Sequence, residues 1–465
     1  MGGSILSPIR VVLVSTYELG RQPFGLASPA AWLRQGGGQV TCLDLAVQPL
    51  NEEAVGAADL VAFYLPMHTA TRIATRVAER VKSLNPRAHL CFYGLYASMN
   101  ETFLRKLGAD TVLGGEFEAG LVSLVERLGT APGASKGVLQ VEPLVSLAKQ
   151  QFLVPDRDGL APLSKYARLE LGNGQSRTVG YTEASRGCKH LCRHCPVVPV
   201  YEGRFVIVQR HVVMEDIRRQ VAAGAEHISF GDADFFNGVG HSLVIVQALH
   251  HEFPHLTYDV TVKIEHLVKH AAHLKTLQET GCLFVTSAVE SVDNHVLAYL
   301  DKGHTREDFV RVVRLCRDAG LTLNPTFVAF TPWISVEGYQ DLLSLLAELD
   351  LTDHVSSIQL AIRLLIPAGS KLLELSEVKQ IVEPFDEAAL IFPWRHSDPR
   401  VDELQGDIQA LVEASLAGGE SRRDIFSRIW LLAEQASNGS VRPVPPTVHA
   451  QPRVTIPYLT EPWYC

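Results

Sequence analysis

Short β-branched runs alternate with amphipathic stretches from residue 10 to about residue 130. Arg10–Ser15 (RVVLVS), Gln39–Leu45 (QVTCLDL), Asp59–Leu65 (DLVAFYL) and Ala88–Tyr93 (AHLCFY) read as strands, with a weaker fifth at Thr111–Leu113. Thr69–Leu84 sets apolar residues at helical spacing and basic residues on the other face. A further helix follows Gly114-Gly115-Glu116-Phe117-Glu118. Such alternation predicts a doubly wound parallel sheet, whose ligands sit at the C-terminal ends of its strands. Residues 131–164 lose periodicity and read as a linker. Tyr166–Leu171 and Arg177–Ala184, joined through Gly172-Asn173-Gly174, read as a hairpin. Alternation then resumes, with strands expected at Val179–Glu183, His227–Gly231, Tyr258–Val262, Leu283–Ala288, Thr322–Phe327 and Ser357–Leu364. Six such units predict a partial or closed α/β barrel. Residues 370–440 read as mainly helical, with Asp398 as an N-cap before Pro399.

Composition narrows the function classes. The 465 residues are 46% hydrophobic and 20% charged, which excludes wholesale disorder. A net charge of −9 argues against a broad nucleic-acid-binding surface. No run approaches the roughly 20 apolar residues of a membrane span. The N-terminal segment lacks the basic and small-residue pattern of a secretory signal, so the expectation is a cytoplasmic protein without membrane or nucleic-acid partners.

Three of the eight cysteines fall within eight residues, in Arg186-Gly187-Cys188-Lys189-His190-Leu191-Cys192-Arg193-His194-Cys195-Pro196. The spacing C-x3-C-x2-C lies just after a predicted strand, at the catalytic end of the barrel. Three thiolates on one loop suit an iron–sulfur cluster with one iron left open. The alternatives are a zinc site completed by His190 or His194, and incidental cysteines. Cys282 and Cys316 read as small core residues.

This loop, at the head of a six-unit α/β barrel, resembles the radical S-adenosylmethionine superfamily. Other segments resemble its cobalamin-domain-bearing branch: Ser229-Phe230-Gly231-Asp232-Ala233-Asp234 with Asn237; Ala288-Val289-Glu290-Ser291 followed by Lys302-Gly303-His304; Thr326-Phe327 through Pro332-Trp333; and Arg363-Leu364-Leu365-Ile366-Pro367. The resemblance implies a [4Fe–4S] cluster on Cys188, Cys192 and Cys195. Its open iron would chelate S-adenosylmethionine, and reductive cleavage would yield a 5′-deoxyadenosyl radical. Gly231, Asp232, Glu290, Ser291 and Ile366 are expected to line the cosubstrate, and an electron donor such as flavodoxin or ferredoxin is implied. For Glu290 the alternative is a structural ion pair with Lys263. Asp232 and Asp234 either face the site or cap the next loop. Arg186 either neutralises cluster or cosubstrate or is solvated.

The preceding sheet resembles a cobalamin-binding domain, with Gly115-Glu116-Phe117-Glu118 matching that branch's G-E-x-E segment. Its first loop reads Ser15-Thr16-Tyr17-Glu18-Leu19-Gly20-Arg21 and lacks the histidine that ligates cobalt in many such domains. Tyr17, Gly115 and Glu116 are the expected cofactor contacts, within loops 15–21, 66–69, 94–97 and 114–118. The fold class is thus α/β, with a Rossmann-like domain over 1–135, a linker and hairpin over 136–177, a partial (β/α)6 barrel over 178–370 and a helical region over 371–465. The resemblance implies a radical enzyme methylating an unactivated carbon of a small molecule or peptide. The alternatives are hydrogen abstraction without methylation, beside a vestigial cobalamin domain, and a non-catalytic zinc- or cluster-binding adaptor. Finally, Thr460–Cys465 resembles the start of a Cys-Sec-Ala-Glu-Pro or Cys-Cys-Ala-Glu-Pro tail, with coding sequence expected to continue past Cys465.

Overall fold

The computed structural model describes residues 8–130, 141–171, 174–437 and 458–460. Strands β1 (Arg10–Ser15), β2 (Gln39–Asp44), β3 (Leu60–Tyr64), β4 (His89–Tyr93), β5 (Thr111–Gly115) and β6 (Val145–Ser146) form one parallel sheet in the order β2-β1-β3-β4-β5-β6. Each β-branched run named from the sequence is a strand here. β6 comes from the stretch read as linker. Its two residues continue the ladder because Gly114 N donates to Leu144 O (2.6 Å) and Glu116 N to Ser146 O (2.7 Å). Both sheet faces are buried, with Val12, Val14, Val61 and Phe92 in one core and Val11, Leu13, Ala62 and Tyr93 in the other. The strand order reverses at β1, so the crevice of an open α/β sheet falls between the loops after β1 and β3.

The hairpin pairs β7 (Arg168–Glu170) with β8 (Ser176–Thr182). A short ribbon pairs β9 (Ser185–Gly187) with β10 (Phe205–Ile207). Then β8, β11 (His227–Phe230), β12 (Thr257–Thr261), β13 (Cys282–Glu290) and β14 (Thr322–Phe327) run parallel as an open half-barrel. The last described strand, β15 (Tyr458–Leu459), pairs with β7.

The expected sixth barrel strand, Ser357–Leu364, is not one. Residues Ser357–Leu360 form a 3₁₀ turn, and only the bridge Phe330–Arg363 continues the parallel pairing. Side chains replace the missing ladder. Gln359 Oε1 accepts from Phe327 N (3.0 Å), and His354 Nδ1 lies 2.8 Å from Leu323 O. Burial lowers the His354 pKa, so the ring is neutral and donates to that carbonyl.

Beyond the barrel, helices Pro399–Ala417 and Arg422–Ala436 pack on its outer layer, and Asp398 caps the first through Arg400 N (3.0 Å). Residues 382–398 hold only two isolated bridges, so this region is less helical than its sequence suggests. Among the described residues no helix is long and apolar enough to cross a membrane. Glu461–Cys465, and the tail expectation with them, lie outside the described residues.

Candidate active site

The β9–β10 ribbon forms the neck of the cysteine loop. Cys188 N donates to Arg204 O (3.1 Å). Gly187 has φ +77°, and a Cβ there would stand 2.6 Å from Arg204 O, so the neck closes only around glycine. Inside the loop, Cys195 N donates to Cys192 O (3.1 Å) and Val198 N to Cys195 O (3.2 Å). Arg193 ties the loop to the barrel through the carbonyls of Ala298 (3.0 Å) and Tyr299 (2.9 Å). Cys192 is buried; Cys188 and Cys195 are half-buried.

Burial pushes the Cys195 thiol up to about 12, and neighbouring Cys192 and Cys188 add to the shift. Burial also raises Cys188. Thiols so placed ionise when a metal displaces their protons. The buried Lys302 ammonium, drawn on electrostatically by Cys192 and Cys195, adds positive charge on the same side. Three thiols with a buried cation beside them fit a cluster with one open iron.

Glu290 ends β13 at φ +69°, where the β13–β14 register shifts and turns its carboxylate toward the loop. It accepts from Lys302 Nζ (3.2 Å) and lies 3.1 Å from His194 Nε2. The Lys302 ammonium and the His194 contact outweigh burial and hold its carboxyl at about 2. The expected alternative partner, Lys263, instead pairs with Glu265 (3.3 Å). Ser291 follows, buried, with its Oγ accepting from Asp293 N (3.1 Å). His304 is also buried, and burial together with the Lys302 charge lowers its pKa to about 4, so the ring is neutral. Ile366 sits in an apolar cluster with Val296, Leu300 and Trp394.

Beyond β11, a Cβ on Gly231 would overlap the Tyr181 hydroxyl, which explains the glycine without a ligand. Asp232 accepts from Ala184 N (2.9 Å) and Ser185 Oγ (2.5 Å), so it stitches the loop after β8 to β11. Burial raises its carboxyl to about 7. Asp234 caps the next turn through Phe236 N (3.1 Å) and faces His266 Nδ1 at 2.6 Å and His190 Nε2 at 3.5 Å. Of the two histidines offered as a fourth ligand, His190 therefore points at Asp234 and His194 at Glu290.

Arg186 overturns both sequence expectations. It is 8% exposed and lies among carboxylates: Glu118 (2.7 Å) and Glu116 (3.1 Å) from the N-terminal sheet, and Glu183 (2.7 Å) from the turn after β8. The ring of Phe152, 4.9 Å away, covers its face. A buried guanidinium needs such partners because desolvation is otherwise prohibitive. Glu116, expected at a cofactor, faces Arg186 and the Tyr201 hydroxyl (3.0 Å). Gly115 is required by the backbone, since a Cβ there would strike Ser146 O. No sequence spacing signals this cluster, because its members come from two sheets.

At the C-terminal ends of β1 and β2, buried polar atoms stand without hydrogen-bond partners, namely Ser15 Oγ, Glu18 Oε2 and Arg21 Nε, beside the Asp44 carboxylate, which pairs with the Tyr166 hydroxyl. Tyr17 is half-buried on the same loop. This donor and acceptor set fits an amide-rich ligand such as cobalamin. Beside it, the ring of Tyr64 fills the notch left by Gly25 and Gly94.

Residues 182–349 match the Radical SAM superfamily. The bacteriochlorophyllide d C-8(2)-methyltransferase of Chlorobaculum tepidum is 25% identical over 206 residues, covering 40% of this chain and 43% of that protein, so less than half of that relative's length is spanned. Among solved structures, the cobalamin-dependent S-adenosylmethionine radical enzyme OxsB, with aqua-cobalamin and S-adenosylmethionine bound, matches at TM-score 0.69 and 15% identity. That match covers 88% of this chain and 67% of that one. The radical S-adenosylmethionine methyltransferase TsrM from Kitasatospora setae matches at TM-score 0.58 and 18% identity, over 73% and 71%. These likenesses establish the shared fold and give no support to the tail resemblance. The cysteine loop thus stands at the head of the half-barrel segment, residues 182–349, that matches the Radical SAM superfamily.

Proposed function

We propose that the protein is a cobalamin-dependent radical SAM enzyme that methylates an unactivated carbon of a small molecule or peptide. The observation that carries this reading is the apposition of two sites. The C-terminal edge of the N-terminal sheet reaches the neck of the cysteine loop, because Arg186, two residues before Cys188, is clasped by Glu116 and Glu118. A group held at Ser15, Glu18, Arg21 and Asp44 would then share one interior with a cluster on Cys188, Cys192 and Cys195.

When bound, the cluster and S-adenosylmethionine supply a 5′-deoxyadenosyl radical, and cobalamin supplies a methyl carrier. The chain's own residues orient and shield. Lys302 keeps Glu290 ionised, so its carboxylate is ready to accept hydrogen bonds from an amine or hydroxyls. Val289 and Val292, which flank Glu290 and Ser291 in sequence, are buried in the half-barrel core and keep water from that side of the pair. A donor of the flavodoxin or ferredoxin type would deliver the electron.

A second reading, hydrogen abstraction without methyl transfer, is favoured by one fact: the higher TM-score belongs to OxsB, described as a radical enzyme. Product analysis separates the two. Anaerobically reconstituted protein with reductant should form 5′-deoxyadenosine that disappears in the Cys188→Ala/Cys192→Ala/Cys195→Ala variant. S-adenosylhomocysteine formed alongside it, dependent on added cobalamin, supports methylation; 5′-deoxyadenosine alone supports the second reading. Absence of both products and of bound iron refutes the proposal.

A further inference from the structure

Beside the cysteine loop, metal-ligand side chains converge that neither the cluster nor the proposed reaction uses together. Cys188 Sγ, a ring nitrogen of His190 and a carboxylate oxygen of Asp234 all lie within 4.8 Å of one another. Asp234 is 1% exposed and is held from behind, since Oδ1 accepts from Phe236 N. Its Oδ2 therefore faces the imidazoles, 3.5 Å from His190 Nε2, while His190 Nδ1 lies 3.4 Å from Glu265. Neighbouring ligands of a tetrahedral cation with bonds of about 2.0–2.1 Å stand roughly 3.3–3.4 Å apart, so this pair is already spaced for one ion.

His266 supports the set. Also 1% exposed, it places Nδ1 2.6 Å from Asp234 Oδ2 and Nε2 3.3 Å from His190 Nε2. An imidazole donating to a ligating carboxylate fixes its orientation, as outer partners do in metal sites. One sulfur, one nitrogen and one oxygen, with a position left for water, suit a borderline-soft divalent ion. Cys192 and Cys195 neighbour Cys188 but do not belong to this set, and both act electrostatically on Lys302.

We propose that the cluster-free protein binds one divalent transition cation at Cys188, His190 and Asp234, oriented by His266. The Cys188 S–H proton leaves to solvent as the metal–sulfur bond forms, with no change of oxidation state. Cys188 cannot serve this ion and a cluster at once, so zinc held here blocks cluster assembly.

Cobalt(II) added to cluster-free, full-length protein tests this, because a thiolate–cobalt bond gives a charge-transfer band. The expected result is one cobalt per chain with a one-thiolate band, retained in Cys192→Ala/Cys195→Ala and lost in Cys188→Ala. His190→Ala and Asp234→Asn should abolish tight binding, and His266→Gln should weaken it about 10- to 100-fold. Asp234→Asn keeps the Phe236 cap, and far-UV circular dichroism verifies that each variant is folded. Binding that needs Cys192 and Cys195 but ignores His190→Ala and Asp234→Asn overturns the proposal, as does folded protein that binds no cobalt. The assay involves neither cluster nor radical chemistry, so its outcome is independent of the proposed function.

Discussion

Replacing Glu116 by Gln tests the buried charge cluster between the two sheets. Glu116 is 1% exposed and shares Arg186 with Glu118 and Glu183. One guanidinium cannot fully compensate three carboxylates, so burial wins at Glu116 and lifts its carboxyl from the ordinary 4.5 to about 7. Because the folded state holds this proton more tightly than the unfolded state, the associated stability is complete below about pH 4.5 and lost as pH rises through about 7. At roughly 1.4 kcal/mol per pH unit the loss approaches about 3 kcal/mol. Glutamine carries no such proton. The stability of Glu116→Gln relative to wild type should therefore rise by about 3 kcal/mol between about pH 5 and pH 8, whatever its value at either end. Urea unfolding of the full-length protein across that range, followed by tryptophan fluorescence and circular dichroism, reads the difference. Parallel pH curves for the two proteins would refute the reasoning and mean that Glu116 is ionised throughout.

Three further outcomes are expected. Lys302→Met leaves Glu290 buried without its ammonium and should cost about 3–5 kcal/mol in thermal unfolding, with Lys302→Arg recovering part of it. Gly231→Ala drives a methyl group into the Tyr181 hydroxyl and should cost about 1–3 kcal/mol in denaturant unfolding, a loss that Tyr181→Ala relieves. Asp398→Ala removes the cap on Pro399–Ala417 and should cost about 1 kcal/mol, read from the melting temperature.

What the sequence made legible follows from where the physics is local. β1, β3 and β4 are buried on both faces, so their β-branched and aromatic runs announce them. The cysteine spacing is likewise local, set by one loop. The sixth barrel strand was misread because Ser357–Leu364 has strand-like composition, whereas Gln359 takes the backbone bond that a strand would have taken. Pairings across long sequence separations left no trace. Glu116 with Arg186 and Asp234 with His266 exist only once the sheets and loops are assembled. Glu290 carried a half-legible signal: its burial with a lysine was foreseeable, but the choice of Lys302 over Lys263 depends on the shifted register at the end of β13.

The open side of the half-barrel bears on association between molecules. An unpaired edge strand invites another chain to add to it. Three outward positions of β14 are Leu323, Pro325 and Phe327, alternate residues whose backbone groups point away from β13. His354 occupies the carbonyl of the first, the second has no N–H, and Gln359 occupies the N–H of the third. The edge that a complete barrel would have paired is thus sealed by two side chains and a proline, and the sheet can stay open without becoming a template for aggregation.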